Sequence, residues 1–257
     1  GGAMMANGLI FGRAAPTGGG AAIPAGSQSF TGNGTFTAPY DGIYTVVLTA
    51  GHAASGIGGR GGDGDYGTTS EGWKRRYGGA GGGAGGSAYL ANSPGIIVIK
   101  LNKNQSVIVT VSVALCSFGN YASFATGTSP GNGNPGGRPD ASEEVIAVGG
   151  SGGSGGGKPV FSFDDALVLF AVVPSLPDYN LSGGNGQNGG SPNANYGGPA
   201  GIPANNIPCI SGQMGGFGQI CTNDTGTQTQ YFNVGVVPSD SRIPAAAGRI
   251  DITWGNQ

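Results

Sequence analysis

Two patterns alternate along this chain, and the first is the alternation of apolar and polar residues that is typical of β-strands. The segment Ser106–Leu115 reads SVIVTVSVAL and places its valines on one face of an extended chain. The run Ile96–Leu101 precedes it and ends at an Asn-Lys-Asn turn, so the two runs predict a β-hairpin. Further strands are predicted at Ser27–Thr37 (with a turn at Gly32-Asn33-Gly34), Gly42–Ala50, Glu144–Val148, Val160–Phe163, Leu167–Val173, Gln230–Val237 and Gly248–Trp254.

The second pattern is a glycine at every third position. It recurs over Gly58–Gly67, Gly79–Gly85, Gly150–Gly156, Gly183–Gly189 and Gly212–Gly218. A period of three matches a polyproline-II helix, which has three residues per turn and no internal hydrogen bonds. A face without side chains lets a neighbouring segment approach until N–H meets C=O. These runs therefore predict short polyglycine-II helices packed side by side, and the alternative is a set of flexible Gly/Ser linkers.

Neither pattern includes a long amphipathic helix, so the fold class expected is all-β. We expect a β-sandwich or jelly-roll-like base with the short polyglycine-II helices packed against it or above it. The 257 residues include 57 glycines, which contribute no side chains to a core. Lateral backbone bonding must then order them, because fixing a glycine costs more backbone entropy than fixing any other residue.

Charge is scarce, and this scarcity excludes several classes of function. Charged residues make up 9% of the chain, with 11 Lys+Arg against 13 Asp+Glu and a net charge of −2. Such a balance does not favour the positively charged surface that nucleic-acid binding requires. One histidine and few acidic residues leave few side chains that could act as a general acid or base, so no enzyme is expected. The longest apolar run, Ala166–Pro174, is too short to span a bilayer, so no membrane insertion is expected.

Several familiar motifs occur in part and do not carry a site. The run ending Gly157-Lys158-Pro159 resembles a phosphate-binding loop, but proline replaces the hydroxyl residue that holds Mg²⁺. Calcium at Asp63 and Asp65 is a weak alternative, and no cofactor or metal is expected. Three cysteines do not make a disulfide framework, although Cys209 and Cys221 either pair or remain free thiols.

The densest concentration of binding residue types is the stretch 66–77, YGTTSEGWKRRY, which lies between two glycine runs and hence at a turn. Tryptophan, tyrosine and arginine are the residues that dominate binding hot spots. Weaker candidates sit in or beside other glycine-rich segments. The alternative is a solvated loop whose aromatic side chains cover a neighbouring glycine segment. The candidate binding residues are Tyr66, Trp73, Lys74, Arg75, Arg76, Tyr77, Phe118, Tyr121, Phe124, Tyr179, Tyr196 and Phe217.

The segment 36–51, FTAPYDGIYTVVLTAG, resembles the glycine-rich tip domains of bacteriophage tail-fibre proteins. The block Gly78–Tyr89, the strands of Ile96–Leu115 and the closing Ala247–Trp254 resemble later parts of the same pattern. The repeated glycine blocks are also similar to the polyglycine-II host-recognition adhesins of T-even-like phages. The chain departs from the family where 50–54, AGHAA, replaces a longer glycine run.

This resemblance implies a receptor-binding protein at a fibre tip, in the virion and acting outside the host cell. Its partners would be a bacterial surface glycan or outer-membrane protein, and a fibre shaft protein or further copies in a homotrimer. The expected organisation is a tag scar at 1–4, an N-terminal attachment segment at 5–27 and a glycine-rich β adhesin domain at 28–257. The alternatives are a structural or ice-binding protein and a glycan depolymerase, which would need paired carboxylates.

Overall fold

The computed structural model describes residues 23–68, 71–72, 74–140, 143, 145–189, 197–204, 207–218, 221–222, 231–232 and 243–255. Every regular element among these residues is a β-strand, so the all-β prediction is confirmed. In chain order the strands are β1 Gly26–Phe30, β2 Gly34–Thr37, β3 Gly42–Thr49, β4 Asp65–Thr68, β5 Lys74–Tyr77, β6 Ala88–Tyr89, β7 Gly95–Leu101, β8 Ser106–Val111, β9 Leu115–Phe118, β10 Ala122–Ala125, β11 Val160–Phe163, β12 Val168–Val172, β13 Cys209–Ile210, β14 Cys221–Thr222, β15 Tyr231–Phe232 and β16 Arg249–Trp254.

Two antiparallel five-stranded sheets share one hydrophobic core. Sheet A has the order β1-β16-β3-β7-β12, and sheet B has the order β11-β10-β9-β8-β2. Alternation along the inner strands supplies the core: in β8, Val107 and Val109 are buried whereas Ile108 is exposed. Phe36 of β2 lies at the centre, with its ring 5.5 Å from that of Tyr44 in β3.

The predicted hairpin between Ile96–Leu101 and Ser106–Leu115 is wrong, because the chain changes sheets at the turn between them. Strand β7 pairs with β3 and β12, whereas β8 pairs with β2 and β9. The turn bonds to another crossover instead of closing a ladder: the Asn104 N–H donates to the Ala38 carbonyl oxygen over 2.8 Å. Strands β1 and β2, on either side of the Gly32-Asn33-Gly34 turn, likewise pair with β16 and β8 and not with each other.

The glycine-rich segments form a laterally bonded bundle, which we call the glycine bundle. Its central segment is 79–87, and every N–H from Ala80 to Ser87 donates to a carbonyl of another segment at an N···O distance of 2.8–3.1 Å. Donors at every third residue share one acceptor segment: Ala80, Gly83 and Gly86 all donate to 131–137. The six surrounding segments are 55–62, 131–137, 147–157, 181–189, 198–202 and 211–218. Lateral bonding is therefore present, and the alternative of flexible linkers is wrong.

The six outer segments also bond to one another and close a ring around the central one. Gly133 donates to Ile57, Gly186 donates to Gly150, and Gly216 donates to Gly59 across three of the six contacts. Each outer segment thus bonds to the centre and to two neighbours, and backbone amides satisfy one another without strands or helices.

Asparagine side chains accept N–H groups at the outer surface of the glycine bundle. The Asn185 Oδ1 accepts from Gly152 over 2.8 Å, and the Asn188 Oδ1 accepts from Gly149 over 3.0 Å. Asn132 accepts from Ile57 in the same way. These side chains satisfy donors for which the ring provides no carbonyl.

Replacing Asn185 with alanine should lower the free energy of unfolding by about 1 kcal/mol, because the Gly152 N–H loses its acceptor and water replaces it only in part. Chemical denaturation would measure the loss. Ser182→Ala is the matched control, since Ser182 is an exposed polar residue of the same segment whose hydroxyl makes no bond among the described residues. Equal losses in both variants would contradict the role of Asn185.

Three other predictions have mixed outcomes. At the predicted strand Glu144–Val148, the described residues contain only a bridge between Asp140 and Val145. Of the predicted strand Gln230–Val237, β15 is the described part and the rest lies outside the described residues. The sequence left Cys209 either paired with Cys221 or free, and in the structure Cys209 is a free thiol whose Sγ contacts the Ala204 carbonyl.

Candidate binding surface at the distal end of the glycine bundle

The glycine bundle has two different ends. At one end its segments continue into the sheets: Ser87 leads directly into β6, and Ser55 bonds to Ile243 beside the bridge between His52 and Ala246. At the other end lie residues 62, 80, 137, 189, 198 and 218. We call this second end the distal end. Four connections leave or enter the bundle there, and they begin after residues 62, 137, 189 and 218.

The β4–β5 hairpin is the largest described element at the distal end. It pairs Asp65 with Tyr77 and Thr68 with Lys74, and Gly72 in its turn has a φ of +83° that favours glycine. Strand β14 lies against β5, so the connections that follow residues 62 and 218 meet. Two of the four distal connections therefore lie side by side in their described parts.

The distal connections hold much of the charge of a chain that has little of it. Of 24 charged residues (11 Lys+Arg and 13 Asp+Glu), eleven lie in 60–76 and 138–144. Those eleven are Arg60, Asp63, Asp65, Glu71, Lys74, Arg75, Arg76, Arg138, Asp140, Glu143 and Glu144. The body of the glycine bundle is nearly uncharged by comparison, so charge is concentrated at its distal end.

Two ion pairs fix neighbouring distal connections. The Arg138 Nη2 donates to the Asp65 Oδ1 over 2.9 Å, and this bond joins the connection after residue 137 to β4. The same bond raises the pKa of Arg138. Arg60 pairs with Asp63 over 2.5 Å at the start of the hairpin connection. These pairs hold the turns in place relative to one another.

The structure places five of the twelve candidate residues on the distal hairpin: Tyr66, Lys74, Arg75, Arg76 and Tyr77. Tyr66 lies opposite Arg76 in the ladder, and Gly67 lies opposite Arg75. Trp73 and Tyr196 lie outside the described residues. The expectation that the 66–77 stretch forms a turn beyond a glycine segment is thus confirmed for its described part.

Three candidates are wrong because their side chains are buried. Phe118 and Phe124 belong to the core between the sheets, where alternation in β9 and β10 turns them inward. Tyr77 is buried at the last position of β5, beside the glycine bundle. None of the three presents a ring to a receptor surface.

The remaining candidates are separated from one another. Tyr121 is half-buried at the sheet end and accepts a bond from the Gln105 Nε2 over 2.9 Å. Tyr179 packs on Tyr89 with ring centroids 5.5 Å apart. Phe217 is 49% exposed on the outer segment 211–218, close to the distal end. Of these three, only Phe217 lies near the hairpin.

Sequence reasoning missed the polar residues that organise the distal end. Arg60 and Arg138 are not among the candidate binding residues, although each pairs with an aspartate near the hairpin. The concentration of charge in 60–76 and 138–144 was the available signal, because charge is rare in the rest of the chain.

A second surface feature lies at the sheet end. An open groove of about 680 Å³ runs beside the turns that follow β9 and β11, and its polar lining includes Asn120, Ser123, Ser162 and Asp165. The neighbouring Asp164 accepts a bond from the Ala166 N–H over 2.9 Å, which fixes the turn into β12. This groove is separated from the distal end by the length of the glycine bundle.

No protein-family model matches the sequence, and no curated protein matches it either. The described ranges contain no cluster of three or more His, Cys, Asp or Glu side chains able to hold a metal ion. Within the same ranges, no helix has the length and apolar character needed to cross a bilayer.

Proposed function

We propose that this chain is the receptor-binding adhesin at the tip of a bacteriophage tail fibre, and that it recognises a bacterial surface glycan or an outer-membrane protein. The observation that carries the proposal is the clustering of connections and charge at the distal end of a bundle built almost entirely of main chain. Binding residues are commonly carried on loops that a rigid scaffold positions. The chain acts by binding, without catalysis, outside the host cell and as part of the virion.

The scaffold in this proposal is a polyglycine-II bundle on a β-sandwich base. Three-residue spacing of lateral donors supports the polyglycine-II conformation, since each third residue of such a helix returns to the same face. Backbone bonding holds the segments, so the sequence of the distal turns is free to vary without loss of the fold. Tyr66, Trp73, Lys74, Arg75 and Arg76 are the proposed contact residues, with Phe217 at their margin.

Replacing both Trp73 and Arg75 with alanine should lower adsorption to susceptible cells at least tenfold, because aromatic and arginine anchors supply most of the energy at an interface. Fluorescently labelled chain incubated with a panel of bacterial strains would measure adsorption by flow cytometry. Phe170→Ala with Lys103→Ala is the matched control, since both residues are exposed and both lie at the sheet end.

Equal adsorption by the two double variants would remove the hairpin from the contact surface. Failure of the unaltered chain to adsorb to any strain that the phage infects would contradict the adhesin proposal itself. Treating cells with protease or with periodate, before the chain is added, separates a protein receptor from a glycan.

Ice binding is a second candidate function, and the polar side of the glycine bundle favours it. Ser151, Ser154, Asn185 and Asn188 are exposed on two adjacent outer segments. The asparagine oxygens are occupied by backbone donors, and the Ser151 Oγ accepts from the Asn134 Nδ2, which leaves the exposed hydroxyls of Ser154 and Ser182 on that side. Thermal hysteresis at micromolar protein would favour ice binding over the adhesin.

A further inference from the structure

Strand β12 combines an open backbone edge with exposed apolar side chains. It is the last strand of sheet A and pairs with β7 on one side, while no described strand pairs with its other side. Leu169 is 61% exposed and Phe170 is 60% exposed, and Val172 and Val173 are also exposed. Val160 in β11, which is the edge strand of sheet B, is exposed as well.

Such an edge is unusual for a protein that works alone. Natural sheets protect their edges with charged residues such as lysine, with proline or with β-bulges, because unpaired N–H and C=O groups invite another strand. The run 168–173, VLFAVV, contains no charged residue and no proline, and its one protective feature is a bulge between Val168 and Phe170. Exposed apolar patches of this kind mark interaction surfaces.

We infer that the β11–β12 edge receives an extended apolar strand from the protein that carries this chain on the fibre. The open ladder of β12 selects a strand, because only an extended segment matches its row of donors and acceptors. The apolar side chains of 168–173 select apolar residues on that strand. This inference rests on the proposed function, which requires a carrier at the end opposite the receptor.

Charge at one end of the edge specifies the partner further. Asp164 and Asp165 are exposed in the turn between β11 and β12, and Asp165 lines the 680 Å³ groove described above. A lysine or arginine at the end of the incoming strand would lie over these carboxylates, and the attraction would set its direction. The partner is thus an apolar strand with a basic residue at one end.

The edge lies away from the distal hairpin, so the two contacts can be tested separately. The probe is the phage particle assembled without this chain, to which purified labelled chain is added. Phe170→Lys should lower the amount of chain bound per particle at least tenfold, because lysine is the residue that natural edges use against pairing. The matched control is Ile108→Lys. The Ile108 side chain is 71% exposed, and its strand β8 lies between β9 and β2 in sheet B, so it is not part of the β11–β12 edge.

Asp165→Asn tests the charge separately and should weaken particle binding several-fold at low salt, with less effect at high salt. Adsorption of free chain to cells should be unchanged in Phe170→Lys and in Asp165→Asn. That readout shows that both variants remain folded and leaves the receptor-binding proposal independent.

Three results would overturn the inference. One is undiminished particle binding by Phe170→Lys. Another is loss of binding in the Ile108→Lys control to the same extent. The third is sedimentation of the free chain as a dimer or trimer that Phe170→Lys dissociates, because a second copy would then occupy the edge. Particle binding without any cell binding would instead contradict the receptor-binding proposal and leave the edge contact supported.

Discussion

Replacing Gly82 with alanine is expected to lower the free energy of unfolding by at least about 3 kcal/mol. Gly82 lies in the central segment of the glycine bundle, where it donates to Gly216 and accepts from Gly201. A Cβ atom at this position would overlap the Gly59 carbonyl and lie 2.6 Å from the Arg60 oxygen. Both obstacles are backbone atoms, so the segment 55–62 would have to move away from the centre and lose its bonds.

Gly32→Ala is the matched control for this change. Gly32 has no atom within 4 Å of a built Cβ, and it lies in an exposed turn. The control should leave stability within about 0.5 kcal/mol of the unaltered chain. Urea denaturation followed by tryptophan fluorescence and by circular dichroism measures both variants. A Gly82→Ala protein as stable as the control would mean that the bundle tolerates wider spacing than its hydrogen bonds indicate.

Replacing Phe36 with alanine should cost about 3–5 kcal/mol of unfolding free energy, which is the usual loss for a buried phenylalanine. Phe36 is fully buried, and its ring lies 5.8 Å from that of Trp254 and 6.0 Å from that of Phe118. Removing it would open a cavity between the two sheets. Thermal unfolding by calorimetry, together with the urea midpoint, would measure the loss.

Phe217→Ala removes the same side chain from an exposed position, so it should change stability by less than about 1 kcal/mol. Comparable losses at Phe36 and Phe217 would contradict the assignment of the core. Comparing Phe36→Ala with Gly82→Ala also tests cooperativity. If both variants shift a single transition, then the sheets and the glycine bundle unfold together.

The strands were predictable from sequence, but their partners were not. Alternation in 106–115 identifies which valines face inward, and β8 buries Val107 and Val109 as expected. Alternation says nothing about whether the next strand lies beside β8 or across the core from it. The same residues of β8 face the core whether β7 and β8 form a hairpin or belong to different sheets. The sequence pattern could not distinguish these two arrangements, and the hairpin prediction was therefore wrong.

The three-residue glycine period predicted lateral bonding, whereas the position of each segment in the bundle was not predictable. All the glycine runs have similar composition, yet among the described segments only 79–87 is surrounded by six others. The only non-glycine residues of this segment are Ala80, Ala84 and Ser87, and all three are fully buried. Candidate binding residues failed for a related reason: Phe118 and Phe124 lie near glycines in sequence but on inward positions of β9 and β10.

The central place of 79–87 constrains how a newly made chain folds on the ribosome. Gly82 and Gly85 donate to Gly216 and Gln213, which are synthesised more than a hundred residues later. At typical rates of protein synthesis this interval is on the order of ten seconds. During that time the inner amides have water as their partner, so final assembly waits for the last outer segment to emerge. A nascent chain stalled before residue 211 would leave one wall of the ring open.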